Sequence, residues 1–111
     1  MQKTLFLPLK KKWYEMIESG IKTEEYREVK PYWVKRLQRE VYNFYDGNMV
    51  SISKNFDAVK FSYGYTKRTM TFKCKGIRIG KGRPEWGAPD KEVFIIELGK
   101  KYSTKVLYKA V

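Results

Sequence analysis

The start of the chain changes from the period of a strand to the period of a helix. Residues 3–7 are apolar and β-prone, and Pro8 follows them, which predicts a first strand. The next apolar residues lie at i, i+4, i+7 and i+8, the spacing of one helical face: Leu9, Trp13, Met16 and Ile17. Gly20 is well suited to end a helix. The pattern therefore predicts a helix over about 9–19.

A second strand and a second helix are predicted next. Residues 23–29 have β character, and Pro31 suits the first turn of a helix. Four residues form the apolar side expected for this helix: Trp33, Val34, Leu37 and Val41. Its other side collects three basic residues within about 100°: Lys35, Arg36 and Arg39. This basic side is either a solvated surface or a face that contacts phosphate.

The middle of the chain has the alternating pattern of strands. Apolar and polar residues alternate over 57–65, and the alternation resumes after a turn. Its phase then changes at Gly76, because Ile77 and Ile79 are out of phase with the apolar residues before them. This change predicts a β-bulge at Lys75-Gly76.

Shorter signals complete the predicted elements. A turn is expected at 46–48, with a short strand at 49–53. Residues 80–91 are rich in Gly and Pro, which predicts a loop. The continuous apolar run over 93–98 predicts a strand that is covered on both faces. Residues 102–108 are expected to add an edge strand.

The length and composition of the chain predict one folded domain. The 111 residues are 42% hydrophobic and 16% aromatic, and a chain of this size buries roughly two-thirds of its unfolded surface. The order of elements is typical of an α+β domain, here residues 1–111. No window reaches the roughly 18 apolar residues of a membrane span. The apolar start is too short for a signal-peptide core, so we expect a cytoplasmic protein without membrane contact.

The charge balance predicts a polyanionic partner. The chain has 24 Lys and Arg against 12 Asp and Glu, a net charge of +12. We expect RNA or a nucleotide as the partner, although a basic surface that only confers solubility is the alternative. The single cysteine, Cys74, excludes an internal disulfide. The absence of histidine excludes Cys/His zinc sites and His-based triads. We therefore expect no metal, no cofactor and a monomer.

A lysine, a carboxylate and an arginine follow the predicted helix end: Lys22, Glu25 and Arg27. An arginine fork grips phosphate, a buried lysine loses its proton readily, and a carboxylate positions either cation or acts as a base. In a regular strand Glu25 and Arg27 share a face and Lys22 points away. A common site therefore requires Lys22 in the turn before the strand. The alternative is a local salt bridge at the surface.

With Gly20, these residues spell G-x-K-x-x-E-x-R, which resembles the signature of the ASCH family, a branch of the PUA-like β-barrels. The likeness covers about 5–29, and the run at 93–98 resembles the closing strand of the family. It implies an α+β fold that is a small PUA-like β-barrel with two helices. It also implies a basic cleft beside the motif that binds RNA or nucleotides.

The resemblance implies an alternative function, a small hydrolase. Some members of the family are reported as amidohydrolases on acetylated cytidine and others as ribonucleases. The amidohydrolase type has a threonine three residues after the motif lysine, where this chain has Glu25, so a threonine nucleophile does not fit. Lys22 matches the lysine of the family, and Glu85 is the best placed second carboxylate by sequence order. The implied catalytic set is Lys22, Glu25 and Glu85.

Two further segments are candidates for ligand contact. Glycines and basic residues are mixed over 76–83, where Lys81 and Arg83 can hold a phosphate. Trp86 lies in a loop between prolines, where a tryptophan can stack on a base. The alternatives are a bulge followed by a turn, and a lid that plugs a barrel end. The expected binding residues are Lys22, Arg27, Lys81, Arg83 and Trp86. An interaction module with no ligand in the cleft is the third hypothesis.

Overall fold

The computed structural model describes residues 3–102 as a small α+β domain with two helices. The elements in chain order are β1 (Thr4–Leu9), α1 (Lys11–Glu18), β2 (Glu24–Glu28), α2 (Pro31–Leu37), β3 (Gln38–Asn43), β4 (Asn48–Ser53), β5 (Ala58–Tyr63), β6 (Thr69–Lys81), a 3₁₀ turn (Pro84–Trp86) and β7 (Glu92–Lys101). Neither of these helices is long and apolar enough to cross a membrane.

Five strands form a curled mixed sheet, which gives the domain the shape of a half-barrel. The strand order is β1-β5-β6-β7-β2. The β1–β5 pair is parallel and the other pairs are antiparallel. The two edges of this sheet are therefore β1 and β2, and β2 carries the motif residues Glu25 and Arg27. The hairpin of β3 and β4 is a separate two-stranded sheet.

The sheet separates two apolar clusters, and β7 contributes to both. Phe94 and Ile96 face the main core, where Tyr14 and Ile17 of α1 are also buried. Val93 and Ile95 face a smaller cluster that contains Tyr26 and Ala88, with Trp86 packed against it. The apolar run predicted to be covered on both faces is therefore confirmed as a strand between two clusters.

The phase change in β6 corresponds to a register irregularity. The pairing of β6 with β7 shifts on both sides of Cys74, between Phe72 and Gly76. Gly76 has a φ of 154°, a conformation that side-chain-bearing residues rarely adopt. The predicted β-bulge is confirmed, and beyond it Ile77 packs against the main core whereas Ile79 is exposed.

The second helix is shorter than the sequence pattern predicts. It ends at Leu37, and Gln38 is already extended with φ −127° and ψ 159°. The segment that was expected to continue the helix is β3, in which Val41 pairs with Val50 of β4. A turn at 44–47 closes this hairpin, and the strand pairing overrides the helical spacing of the apolar residues. Arg39 therefore lies on a strand, not on a basic helix face.

Other element limits differ in smaller ways. The first helix begins at Lys11, because β1 continues through Pro8 to Leu9. Proline is tolerated there because β1 is an edge strand. The predicted loop at 80–91 is shorter, since β6 extends to Lys81. Apart from its first residue, the strand predicted over 102–108 lies outside the described residues.

Candidate functional site

The end of α1 places Lys22 outside the following strand. Gly20 has a φ of 87° and donates its N–H to Ile17. The Lys22 N–H then donates to the carbonyl of Met16, at an N···O distance of 3.0 Å. Because β2 begins only at Glu24, Lys22 lies in the connection between helix and strand. This placement, predicted from the two-residue strand period, is confirmed.

Lys22, Glu25 and Arg27 form a charge triad in which Lys22 and Glu25 are buried and Arg27 is partly exposed. Lys22 Nζ lies 3.1 Å from Glu25 Oε1, and Arg27 Nη1 donates a hydrogen bond to Glu25 Oε2. Only 1% of Lys22 and 5% of Glu25 is exposed. One carboxylate thus serves two cations, so a protonated Lys22 leaves the triad with one excess positive charge.

The Lys22 ammonium is enclosed by the loop after β6 and by aromatic rings. Its Nζ donates a hydrogen bond of 2.6 Å to the carbonyl oxygen of Trp86. It also lies 5.2 Å from a ring centroid of Trp13 and 4.5 Å from that of Tyr26. Burial lowers the pKa of Lys22 from its usual value, and the Glu25 carboxylate opposes this effect by attraction.

Arg27 is fixed in place but keeps hydrogen-bonding capacity. Besides its bond to Glu25, Nη1 donates to the carbonyl of Tyr26 at 2.7 Å, and Nη2 donates to the carbonyl of Pro8 at 3.3 Å. Its guanidinium carbon lies 5.2 Å from a ring centroid of Trp33. A guanidinium has five N–H donors. Within residues 3–102, the Nε–H and one N–H of Nη2 have no hydrogen-bond partner. Arg27 is therefore preorganised to bind an acceptor.

A cavity of about 290 Å³ opens above the triad. We call it the first cavity. Glu25, Tyr26 and Arg27 line it from β2, Trp13 and Lys10 from the start of α1, and Trp86 from the loop. Two tryptophans, two cations and a carboxylate thus meet at the gap between the edge strands. Its volume is near the lower end of the range for small-molecule sites, about 300–1,000 Å³.

Two glycines allow the loop after β6 to pack closely on the site. Gly87 has a φ of 96°, and a Cβ atom there would lie 2.8 Å from Cζ2 of Trp13. A Cβ atom on Gly82 would collide with the ring of Tyr26 and would lie 2.7 Å from Cβ of Ala88. The loop, α1 and β2 therefore meet without intervening side chains at these two points.

Tyr26 links the motif strand to the same loop. Its hydroxyl donates to Glu24 Oε1 at 2.8 Å and accepts the Arg83 N–H at 3.1 Å. Burial is the main reason why the pKa of Tyr26 is raised to about 12. The bond to Glu24 favours the protonated phenol, whereas the N–H donated by Arg83 lowers its pKa and partly offsets the effect of burial.

The remaining residues predicted for the site have different positions. Trp86 is half-buried and lines the first cavity. The Arg83 guanidinium lies over its ring, 4.7 Å from the centroid. Lys81 is exposed, and its Nζ lies 3.4 Å from Asp90 Oδ1. Glu85 is exposed and does not line the cavity. The structure thus brings Lys22, Glu25, Arg27 and Trp86 together, and it leaves Glu85 and Lys81 outside.

The sequence did not identify Trp13, Lys10 or Gly87 as site residues. Trp13 was assigned to the apolar stripe of the first helix, but it is only half-buried because one part of the ring lines the cavity. The available signal was its position shortly after β1, since β1 and the motif strand β2 are the two edge strands that flank the cavity.

Comparisons with protein-family models, with curated proteins and with solved structures give no significant match. Among residues 3–102, no group of three or more cysteine or carboxylate side chains is arranged to hold a metal ion.

Proposed function

We propose that this protein is an RNA or nucleotide binding module of the ASCH type, with a PUA-like barrel and its ligand in the first cavity. The observation that carries the proposal is the preorganised Arg27, which offers two free N–H donors within the described residues and belongs to a triad with excess positive charge. A fixed guanidinium fork of this kind suits a phosphate group.

The cavity walls support a nucleotide as the ligand. Trp13 and Trp86 supply aromatic surface, on which bases of any sequence can stack. Glu25 supplies a carboxylate acceptor for an exocyclic amine of a base, and Lys10 adds a cation at the rim. The volume of about 290 Å³ fits one base with its sugar better than a duplex. A single-stranded or free nucleotide is therefore the favoured ligand class.

The proposal is tested by titrating nucleoside monophosphates and a short single-stranded RNA into wild-type protein, Arg27→Ala and Arg27→Lys. We expect Arg27→Ala to weaken binding at least tenfold. Arg27→Lys should recover only part of the loss, because an ammonium keeps the charge but not the fork. Circular dichroism of each variant separates loss of binding from loss of fold.

Arg39→Ala is the matched control, because Arg39 is an exposed arginine on β3. It should change mainly the salt dependence, as should Lys35→Ala. For a single strand the slope of log K against log salt is about −0.7 per phosphate neutralised. The proposal would be contradicted if Arg27→Ala bound the ligand as tightly as wild-type protein does. It would also be contradicted if the affinity did not depend on salt.

Hydrolysis of an acetylated cytidine or of RNA is the second candidate function, and the burial of Lys22 favours it. A desolvated lysine with a lowered pKa is the form that acts as a base or nucleophile. However, Lys22 Nζ already contacts Glu25 and the Trp86 carbonyl, and Glu85 does not line the cavity. A substrate would have to displace the loop carbonyl to reach Nζ.

The hydrolase candidate is tested with purified wild-type protein and Lys22→Met on both substrate classes. Turnover by the wild type that disappears in folded Lys22→Met would support a catalytic Lys22. Turnover that survives in this variant would remove the lysine from the mechanism. No turnover by the wild type on either class would leave binding as the function.

A further inference from the structure

A second cavity adjoins the first one on the other side of Arg27. Its volume is about 380 Å³, and it shares Tyr26, Arg27 and Gly87 with the first cavity. Its other walls come from the start of α2, with Lys30 and Trp33, and from the segment before β7. The two cavities therefore form a track across β2, and Arg27 lies at the point where they meet.

The walls of the second cavity combine apolar surface with positive charge. Trp33, Pro89 and Val93 supply the apolar part, and Lys30 and Arg27 supply the cations. Among the described residues that line it, Glu28 is the only carboxylate, and it already has a cationic neighbour, since Lys91 Nζ lies 3.6 Å from its Oε2. The cavity thus keeps an excess of positive charge beside an aromatic wall.

The aromatic wall continues beyond the cavity. The rings of Tyr32 and Trp33 stack with centroids 4.8 Å apart, and the Arg36 guanidinium lies over both. Half of Tyr32 is exposed. Aromatic rings interleaved with arginines along a groove are typical of surfaces that bind single-stranded nucleic acid.

From this arrangement we propose that the ligand is a single-stranded RNA segment of at least two nucleotides, with neighbouring nucleotides in the two cavities and their shared phosphodiester on Arg27. This inference rests on the proposed function and makes it more specific. Each cavity is too small for more than one nucleotide unit, and Arg27, which has two free N–H donors, lines both of them. A free mononucleotide fills only one half of this track.

The experiment compares affinities for nucleoside 5′-monophosphates with affinities for RNA dinucleotides in wild-type protein. We expect the dinucleotide to bind at least tenfold more tightly. Lys30→Gln should remove most of this gain, because it deletes a cation that only the second cavity uses. Trp33→Leu should also reduce the gain, by removing the aromatic wall. Lys73→Gln is the control, since Lys73 is exposed on β6 and the charge change is the same.

The outcomes separate this inference from the proposed function. Equal affinity of wild-type protein for mononucleotide and dinucleotide would overturn the second subsite but leave nucleotide binding in place. Equal losses in Lys30→Gln and Lys73→Gln would also overturn it, because the gain would then come from general attraction between charges. Failure of both ligands to bind would overturn the proposed function, and this inference with it.

Discussion

The side chain of Lys22 reaches the carbonyl oxygen of Trp86, 64 residues later in the chain, through a hydrogen bond of 2.6 Å. The motif therefore holds the loop that carries a tryptophan of the first cavity. Lys22 therefore helps to position the loop that lines the cavity but does not line the cavity itself, whereas Glu25 and Arg27 do.

Lys22→Met should loosen this loop. The Trp86 carbonyl loses its donor, while Glu25 keeps Arg27 as a partner, so we expect the free energy of unfolding to fall by about 1–3 kcal/mol. Hydrogen exchange should accelerate at the amides of Trp86, Gly87 and Ala88. Lys12→Met is the control, since Lys12 lies over the Trp13 ring but is exposed. Equal effects of the two substitutions would contradict the role given to Lys22.

Glu25→Gln should destabilise the fold more than Lys22→Met does. It leaves two cations without a carboxylate in a buried position, and breaking a buried ion pair in this way costs about 3–5 kcal/mol. Denaturant unfolding of both single variants and of the double variant measures the coupling. The double variant should lose less than the two single losses together, because one of the cations is then absent. Additive losses would mean that the two side chains are not coupled.

Tyr26 should make stability fall at alkaline pH. Its pKa is about 12 in the folded protein and 10.0 as an isolated side chain, so the folded state keeps the phenolic proton longer. The stabilisation is complete below pH 10 and is lost as the pH rises through about 12. At about 1.4 kcal/mol for each pKa unit, its upper limit is near 3 kcal/mol.

Tyr26→Phe isolates this contribution. The difference in free energy of unfolding between wild-type protein and Tyr26→Phe should be constant at neutral pH and should shrink above pH 10. Urea unfolding at several pH values gives that difference directly. A difference that stays constant up to pH 11 would contradict the raised pKa.

Gly87→Ala should be more damaging than Gly64→Ala. Both glycines have positive φ, 96° and 58°, so both substitutions strain the backbone by about 1–2 kcal/mol. A Cβ atom at Gly87 would meet Trp13, whereas none of the residues 3–102 lies within 4 Å of a Cβ atom built at Gly64. The thermal unfolding midpoint should therefore fall further for Gly87→Ala, and its tryptophan fluorescence should change. Equal midpoints would mean that Trp13 moves aside without cost.

Local patterns were enough to predict most elements of the sheet. Phase changes and glycines act within a few residues, which is why the bulge at Gly76 and the position of Lys22 after Gly20 follow from the sequence. The end of α2 could not be predicted in this way. The spacing of Leu37 and Val41 suits a helix, and only the pairing of Val41 with Val50 selects a strand.

The candidate site was only partly predictable for a similar reason. Its charged members lie within six positions of one motif, so spacing and strand parity were sufficient to bring them together. Sequence order places Trp13 shortly after an edge strand, but it contains no signal for the contact of Trp13 with Gly87, which comes from tertiary packing between α1 and a distant loop. Sequence order was also a poor guide for Glu85, which is near Trp86 in the chain but exposed and outside the cavity lining.

The hydrogen bond from Arg27 to the Pro8 carbonyl connects the two edges of the curled sheet. Arg27, the residue proposed to hold the ligand, therefore also links β1 to β2 across the open side of the half-barrel. A movement of β1 away from β2 changes the ligand site, and a ligand bound to Arg27 opposes that movement. Ligand binding should therefore slow the exchange of backbone amides along both β1 and β2, including residues of these strands that do not line the cavities.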